Sequence, residues 1–309
     1  MHPECVIASW TGRVDSTHGL DRDLRLARGQ GSEGDMEMKP ARARCACSIG
    51  AGRMARALLA AAREAGLADH GAWSRSSERE LADVVDGCDT VFVAVPDDAI
   101  PDALAQLAGA TLVGDRPLVV VTSGSIALQS LNRRYRRRLR IVRIHPLQVV
   151  TPDSPRDVLD GVTCAVTAID AHDLDDAIEL ARLLGMRPVQ LDDRDAATWH
   201  AAATLAANAV TAILADAIEL AESTGIDRDD AVDAFASLAT AAIGNVRRIG
   251  PEAALTGPIA RGDRTTIDSH RAAIRDVRPE LLDAYDELAA RTEALAARAP
   301  LATATEVTS

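Results

Sequence analysis

Short apolar stretches alternate with Ala/Leu-rich stretches of helical spacing through the middle of the chain. The apolar stretches predict seven strands: Cys45–Ile49, His70–Ser74, Thr90–Val95, Leu118–Thr122, Arg140–Ile144, Thr163–Thr167 and Pro188–Leu191. The stretches of helical spacing predict intervening helices, among them Arg53–Gly66, Glu78–Val85 and Ala171–Leu184. Apolar strands that alternate with helices indicate a parallel sheet covered on both faces.

The strand pattern stops after Asp195. One long Ala/Leu helix is predicted over Ala196–Thr224, and three more over Arg228–Thr240, Thr266–Arg275 and Pro279–Ala299. We therefore predict a sheet domain over 41–193 and an all-helical domain over 194–299. Residues 1–40 mix charges and glycines without an apolar period and are predicted to be a disordered extension, and 300–309 a frayed tail.

Composition and net charge disfavour several classes of function. The 309 residues carry 34 Lys+Arg against 46 Asp+Glu, a net charge of −12, which disfavours nucleic-acid and anionic-membrane binding. Aromatic residues are only 2%, too few for base-stacking platforms. No uninterrupted apolar run approaches the ~20 residues of a membrane span, and the start does not resemble a secretory signal. A cytoplasmic protein is expected.

The five cysteines are sparse and are interpreted as reduced thiols. Cys45 and Cys47 share one predicted strand, and no cysteine or histidine pair nearby in the sequence completes a metal site. We therefore predict no metal.

The first candidate site is the segment Gly50-Ala51-Gly52-Arg53-Met54-Ala55, which follows a strand and opens a helix. It matches the G-x-G-x-x-G/A pattern, in which the glycines permit a tight turn and the approach of a pyrophosphate. The amino terminus of the helix then offers free N–H groups and partial positive charge to the phosphates. This context predicts a dinucleotide, although an Ala/Gly-rich helix start is the structural alternative.

The end of the second strand predicts which dinucleotide binds. An acidic residue is usual there when NAD is preferred, but this chain has Ser74-Arg75-Ser76. Arg75 can pair with a 2′-phosphate and the two serines can donate hydrogen bonds, so NADP is favoured. The alternative is a solvated loop arginine. Val95 and Pro96, at the end of the third strand, complete the predicted cofactor contacts.

Ser123 and His145 follow the fourth and fifth strands, at the strand ends where α/β proteins bind ligands. A histidine there can move a proton near neutral pH. A helix N-cap is the structural alternative for Ser123, and fixing the strand exit is the alternative for His145.

A polar stripe lies on the long predicted helix, where His200, Thr204 and Asn208 step by four. A substrate is one partner for this stripe; packing against the next helix or simple exposure is the alternative. Thr256, Gly257 and Pro258 lie in an unusual loop and are predicted to contact substrate, unless the loop is only a structural turn.

Together these residues resemble a known family of Rossmann-like proteins with a C-terminal helical domain of unknown function. The motifs that carry the resemblance are IGAGRM at 49–54, AVPDDAI at 94–100, TSG at 122–124, HPLQ at 145–148, WHAAATLAAN at 199–208 and LTGPIARGD at 255–263. The family is similar in layout to pyrroline-carboxylate reductases, ketopantoate reductases and prephenate dehydrogenases. The resemblance implies a Rossmann-like parallel sheet domain followed by a helical domain, as in 6-phosphogluconate-dehydrogenase-like proteins.

The resemblance also implies roles for individual residues. Ser123 and His145 resemble the serine and histidine that touch the reacting hydroxyl in prephenate dehydrogenases. Asn208 matches the asparagine of a Gly-x3-Lys-x3-Asn pattern, whereas His200 and Thr204 occupy its glycine and lysine positions. Because threonine is no proton donor at neutral pH, that role would pass to His145 or His200.

The expected function is NADP-dependent hydride transfer between NADPH and a small carbonyl or imine. The resemblance also implies a homodimer, because related helical domains usually pair between subunits. A ketopantoate-type 2-oxoacid reductase is one alternative. A non-catalytic NADP-binding sensor or scaffold is the other.

Overall fold

The structure is a computed structural model that describes residues 45–110 and 116–298. The predicted extension over 1–40, Cys5 and the predicted tail from 300 lie outside the described residues.

Seven strands form one sheet in the order β2-β1-β3-β4-β5-β6-β7. Their bounds are β1 Cys45–Ile49, β2 Ala68–Trp73, β3 Thr90–Val93, β4 Leu118–Val121, β5 Arg140–Pro146, β6 Thr163–Thr167 and β7 Arg187–Gln190. All neighbours pair in parallel except β5 and β6, which are antiparallel. The prediction of a wholly parallel sheet is wrong at this pair, because 147–162 forms no crossover helix of the kind that parallel pairing needs.

Five helices cover the two faces of the sheet: α1 Arg53–Glu64, α2 Leu81–Val85, α3 Ile100–Gly109, α4 Leu128–Tyr135 and α5 Ala171–Leu183. Alternate strand residues divide between two cores. Phe92 and its neighbours pack against α1 and α5, while Val91 and its neighbours pack against α2, α3 and α4. The predicted two-sided α/β fold is therefore confirmed.

Helices alone follow the sheet. They are α6 Ala196–Thr204, α7 Val210–Glu222, α8 Arg228–Ile249, α9 Pro251–Ala254, α10 Arg264–Val277 and α11 Leu282–Ala296. A π-helical turn, Leu205–Ala209, joins α6 to α7, so the single predicted helix is continuous with a local change of winding. We call α6, this turn and α7 together the rod. Helix α8 extends nine residues beyond its predicted end at Thr240, as far as Ile249.

The rod is also unusually apolar on its outside. The stretch Asp193–Glu222 is long and apolar enough, by length and composition, to cross a membrane, and little of it is buried within the single chain. Leu205 and Ile213 on the rod and Leu238 and Ile243 on α8 are exposed.

Candidate functional site

Gly50 sets the geometry at the carboxyl end of β1. Its φ is +106°, and a Cβ built there would lie 2.2 Å from the carbonyl oxygen of Ala94. Only glycine fits this position. The Gly50 N–H donates to the Trp73 carbonyl at 2.8 Å and the Ala94 N–H to the Ile49 carbonyl at 2.9 Å, so the ends of β1, β2 and β3 are held together. Strand order changes direction between β1 and β3, which is where open α/β sheets bind ligands.

The amino terminus of α1 faces open space beside this turn. Gly52 is its N-cap, makes no side-chain cap and would have nothing within 4 Å of an added Cβ. No acidic residue lies in the first turn of α1, and Ala51 and Arg53 are exposed, while Met54 packs into the core. The unpaired N–H groups and the helix dipole therefore suit an anion.

The loop after β2 presents the predicted serines and arginine. The Ser74 hydroxyl lies 3.1 Å from that of Ser76 and 3.2 Å from that of Ser77, and the Ser74 N–H donates to Ser77 Oγ. Arg75 is exposed, and no ion pair holds it among the residues that the structure describes. Val95 is half-buried beside Gly50, and Pro96 is exposed.

The second half of the site is a pair of imidazoles. The His145 and His200 rings lie 5.3 Å apart, centroid to centroid, and cross edge to face at 69°. The Nδ1 atoms of both rings are buried without a hydrogen-bond partner. Gly124 makes room for them, because a Cβ there would lie 2.3 Å from His200 Nδ1 and 2.8 Å from His145 Cε1. Unpaired buried nitrogens are costly and suit a site that a ligand completes.

His145 does not titrate in the range expected from the sequence. Burial first, then the His200 ring and the Arg143 guanidinium, lower the pKa of His145 to about 4. Desolvation and nearby positive charge both disfavour the imidazolium. The expectation of a histidine that changes charge near neutrality is therefore wrong for His145 in the ligand-free chain, and its imidazole is neutral at pH 7.

A cavity of about 380 Å³ lies against both imidazoles. Its lining comes from the end of β5 and from the rod: His145, Pro146, Leu147, Gln148, Val149, His200, Ala203, Thr204, Ala206, Ala207 and Asn208. His200, Thr204 and Asn208 of the predicted stripe all line this cavity, and the π-helical turn contributes Ala206, Ala207 and Asn208 to it.

Two predicted groups of site residues, Ser123 and the loop at 256–258, are placed differently from what the sequence suggested. The Ser123 hydroxyl accepts hydrogen bonds from the N–H groups of Ser125 and Ile126, at 3.3 and 3.2 Å, and so stabilises its own loop. Thr256, Gly257 and Pro258 lie in the loop between α9 and α10 and do not line the cavity beside His145. Their inclusion rested on a sequence motif, which does not determine where a loop packs, and in the single chain it is not supported.

The sequence analysis did not identify Arg143, whose buried side chain holds the segments that carry the two histidines. Arg143 is fully buried in β5 and donates to the carbonyls of Ser123 and Ile126 and to the carboxylate of Asp193. Asp193 lies between β7 and α6, so this contact ties the loop after β4 to the start of the rod. An arginine inside an apolar strand run was the available signal, since a buried cation needs a partner.

The cysteine prediction was also incomplete. Cys45, Cys47, Cys88 and Cys164 are free and buried, as predicted for reduced thiols. The prediction that no cysteine or histidine nearby could complete a metal site with Cys45 is wrong, because the ligand atoms of Cys45, His70 and Cys88 all lie within 4.8 Å of one another. They come from the start of β1, from within β2 and from the turn before β3, so sequence spacing did not reveal the cluster.

Comparisons with known proteins agree with this architecture. Residues 162–292 match a family model described as a domain of unknown function, DUF2520. No curated protein matches the chain.

Solved structures share the fold at low identity. BF3122 from Bacteroides fragilis, assigned as an NADP oxidoreductase, is 21% identical over 81% of this chain and 98% of its own, with a TM-score of 0.65. The reductive aminase from Aspergillus terreus, in complex with NADPH, is 14% identical over 82% and 98%, with a TM-score of 0.58. The Plasmodium falciparum pyrroline carboxylate reductase with NADP bound is 12% identical over 82% and 98%, with a TM-score of 0.54. The predicted resemblance to Rossmann-like oxidoreductases with a C-terminal helical domain of unknown function is confirmed.

Proposed function

We propose that this chain is an NADP-dependent oxidoreductase that transfers a hydride between NADPH and a small carbonyl or imine. The observation that carries the proposal is the pair of unpaired imidazoles at the carboxyl end of β5, on the same side of the sheet as the β1–β3 switch point. Solved relatives in fold are described with NADP or NADPH bound, which supports a nicotinamide dinucleotide.

The residues present fit such a cofactor. Gly50 leaves no room for a side chain, Gly52 opens onto free space, and α1 begins without an acidic residue. These features suit a pyrophosphate at the α1 amino terminus. Arg75, free of any ion pair among the described residues, suits a 2′-phosphate, with Ser74 and Ser76 beside it.

The chain's own residues would then orient the substrate and handle one proton. Bound NADPH supplies the hydride. A neutral His145 holds one ring proton and donates it as a hydrogen bond to the substrate oxygen or nitrogen, where negative charge develops. His200 faces the same position from the rod. Thr204 is less suited to this task, because its hydroxyl already donates to the His200 carbonyl at 3.0 Å.

The residues that line the cavity beside His145 favour a neutral substrate over one that carries a carboxylate. None of the residues that line the cavity is a lysine or an arginine. A 2-oxoacid would bring a carboxylate without a cationic partner there, so the geometry favours a neutral carbonyl or an imine over a ketopantoate-type substrate.

Turnover assays test the reaction. NADPH is incubated with a panel of cyclic imines, neutral ketones and 2-oxoacids, and loss of nicotinamide absorbance is followed. We expect turnover with an imine or a neutral carbonyl. Tight NADPH binding without turnover on any member would instead favour the sensor or scaffold, for which the missing lysine at position 204 is the supporting observation.

Cofactor preference is the first testable prediction. Arg75→Ala is expected to weaken NADPH binding by about 10- to 100-fold and NADH binding by far less, because one charge-assisted contact is worth about 1.5–3 kcal/mol. Fluorescence titration of both cofactors measures this. Arg137→Ala, at another exposed arginine, is the control. Equal affinity of the unaltered protein for NADPH and NADH would contradict the prediction.

We further propose that the protein works as a cytoplasmic homodimer, paired through the rod and α8. Leu205, Leu238 and Ile243 are each more than half exposed in the single chain. Exposed large apolar side chains on neighbouring helices are typical of interfaces. A second copy is the occupant that this proposal names, and the net charge of −12 disfavours an anionic membrane surface.

Changing the apolar surface tests the dimer. Leu238→Glu and Ile243→Glu together are expected to convert a dimer into a monomer in light scattering, because two charges would be buried in an apolar contact. Val189→Glu, on the exposed edge strand β7, is the control and should leave the dimer intact. A monomeric unaltered protein, or one that sediments with lipid vesicles, would overturn the proposal.

A further inference from the structure

A second cluster of reactive side chains lies near the amino ends of β1 and β3, opposite the carboxyl ends that form the candidate cofactor site. Cys45 begins β1, Cys88 stands two residues before β3, and His70 lies in β2. Because these strands are parallel, Cys45 and Cys88 lie at their amino ends, away from the site proposed for the cofactor. The proposal below is therefore independent of the oxidoreductase function.

We propose that Cys45, Cys88 and His70 bind one zinc ion, with a water in the fourth position. The sulfur atoms of the two cysteines and a ring nitrogen of His70 lie within 4.8 Å of one another. Two thiolates and an imidazole are ligands that zinc prefers, and a water completes sites with three protein ligands.

A tetrahedral ion would draw the ligand atoms closer together. Zinc bonds of about 2.0–2.3 Å place neighbouring ligand atoms roughly 3.3–3.8 Å apart, against separations of up to 4.8 Å here. The Asp89 carboxylate lies outside the converging set but supports one ligand. Its Oδ2 is 3.7 Å from Cys45 Sγ and accepts a hydrogen bond from the Cys45 N–H at 3.2 Å, as outer contacts of metal ligands do.

The surroundings favour a closed site with one entry. Cys45 and Cys88 are each 7% exposed and pack in the same core as Val84 and Val85. His70 is only half-buried, so an ion can enter past its ring. Cys47 contacts the Cys88 thiol from the interior but lies outside the set of converging ligand atoms.

Zinc binding replaces the thiol protons of Cys45 and Cys88 with the metal ion. In the metal-free chain the Cys45 thiol donates to the Gly87 carbonyl at 2.7 Å and the Cys88 thiol to the Val84 carbonyl at 3.4 Å. Two zinc–sulfur bonds form, two S–H bonds break, and both protons pass to solvent. No atom changes oxidation state, and no other reactant is needed.

Cobalt titration of the full-length reduced protein tests the site. We expect one Co²⁺ per chain, with thiolate-to-cobalt charge transfer and the strong visible bands of a tetrahedral complex, and displacement by one equivalent of Zn²⁺. Cys88→Ser should remove the charge-transfer contribution of one thiolate and weaken binding at least tenfold. His70→Ala, which alters a half-buried position, should weaken binding similarly and leaves both buried thiols in place.

Matched thiol controls separate this cluster from other cysteines. Cys164→Ser, at a buried thiol in β6, and Cys5→Ser should both leave the spectrum and the affinity unchanged. Absence of thiolate bands in the unaltered protein would overturn the proposal. So would bands that persist when both Cys45 and Cys88 are serine, with folding checked by circular dichroism.

Discussion

Asp193→Ala is expected to lower the free energy of unfolding by about 3–5 kcal/mol, because it leaves a buried guanidinium without its counter-ion. Arg143 is fully buried, and its Nη2 lies 3.2 Å from Asp193 Oδ1. The two Asp193 carboxylate oxygens also accept from the N–H groups of Leu128 and Gln129, at 2.9 Å each, and so cap α4. One side chain thus satisfies a charge and two backbone donors.

Urea unfolding of a set of variants measures this effect. Asp195→Ala, at an exposed neighbour, should change the unfolding free energy by no more than about 0.5 kcal/mol. Combining Asp193→Ala with Arg143→Met should cost less than the sum of the single changes, because no charge then remains unpaired. A single-variant loss below about 1 kcal/mol, or strict additivity in the double variant, would show that the ion pair is not what holds this region.

The ion pair between Arg143 and Asp193 also fixes the segments that carry the two imidazoles. Arg143 stands two residues before His145 and donates to the carbonyls of Ser123 and Ile126, which flank Gly124. The loop after β4, the end of β5 and the start of the rod are therefore fixed by one buried contact. Such support is what keeps a pair of imidazoles in a constant geometry.

Local features of the sequence predicted much of the fold. Gly50 and Gly52 were found because a tight turn between strand and helix depends on neighbouring residues, and the strand cores were found because continuous apolar runs indicate burial on both faces. The antiparallel β6 was missed, since its direction depends on the connection rather than on the strand's own residues.

Contacts between distant segments were the part that sequence did not predict. His145 and His200 were each singled out, but their ring separation depends on how the rod packs against β5. The low pKa of His145 follows from that packing and from Arg143 beneath it. The cluster of Cys45, His70 and Cys88 arises in the same way, from β1, β2 and the turn before β3.

His145→Ala is expected to lower turnover by about 10²–10⁴-fold while NADPH binding survives, because the substrate loses its hydrogen-bond donor during hydride transfer. His200→Ala should raise KM more than it lowers kcat. His145→Gln keeps a donor of similar reach and should recover part of the rate. These values are measured on the first substrate that the turnover panel identifies.

The pH dependence of kcat/KM distinguishes the two histidines. Because the pKa of His145 is lowered to about 4, its neutral form persists from neutral pH down to about pH 5. We expect the rate due to His145 to stay level over that range and to rise along an acid limb as pH drops through about 4, because the imidazolium that then forms is a stronger donor to the developing negative charge. His145→Gln should abolish that acid limb, whereas His200→Ala should retain it. A limb that persists without His145 and vanishes without His200 would reverse the assignment, and the rod would then supply the group that handles the proton.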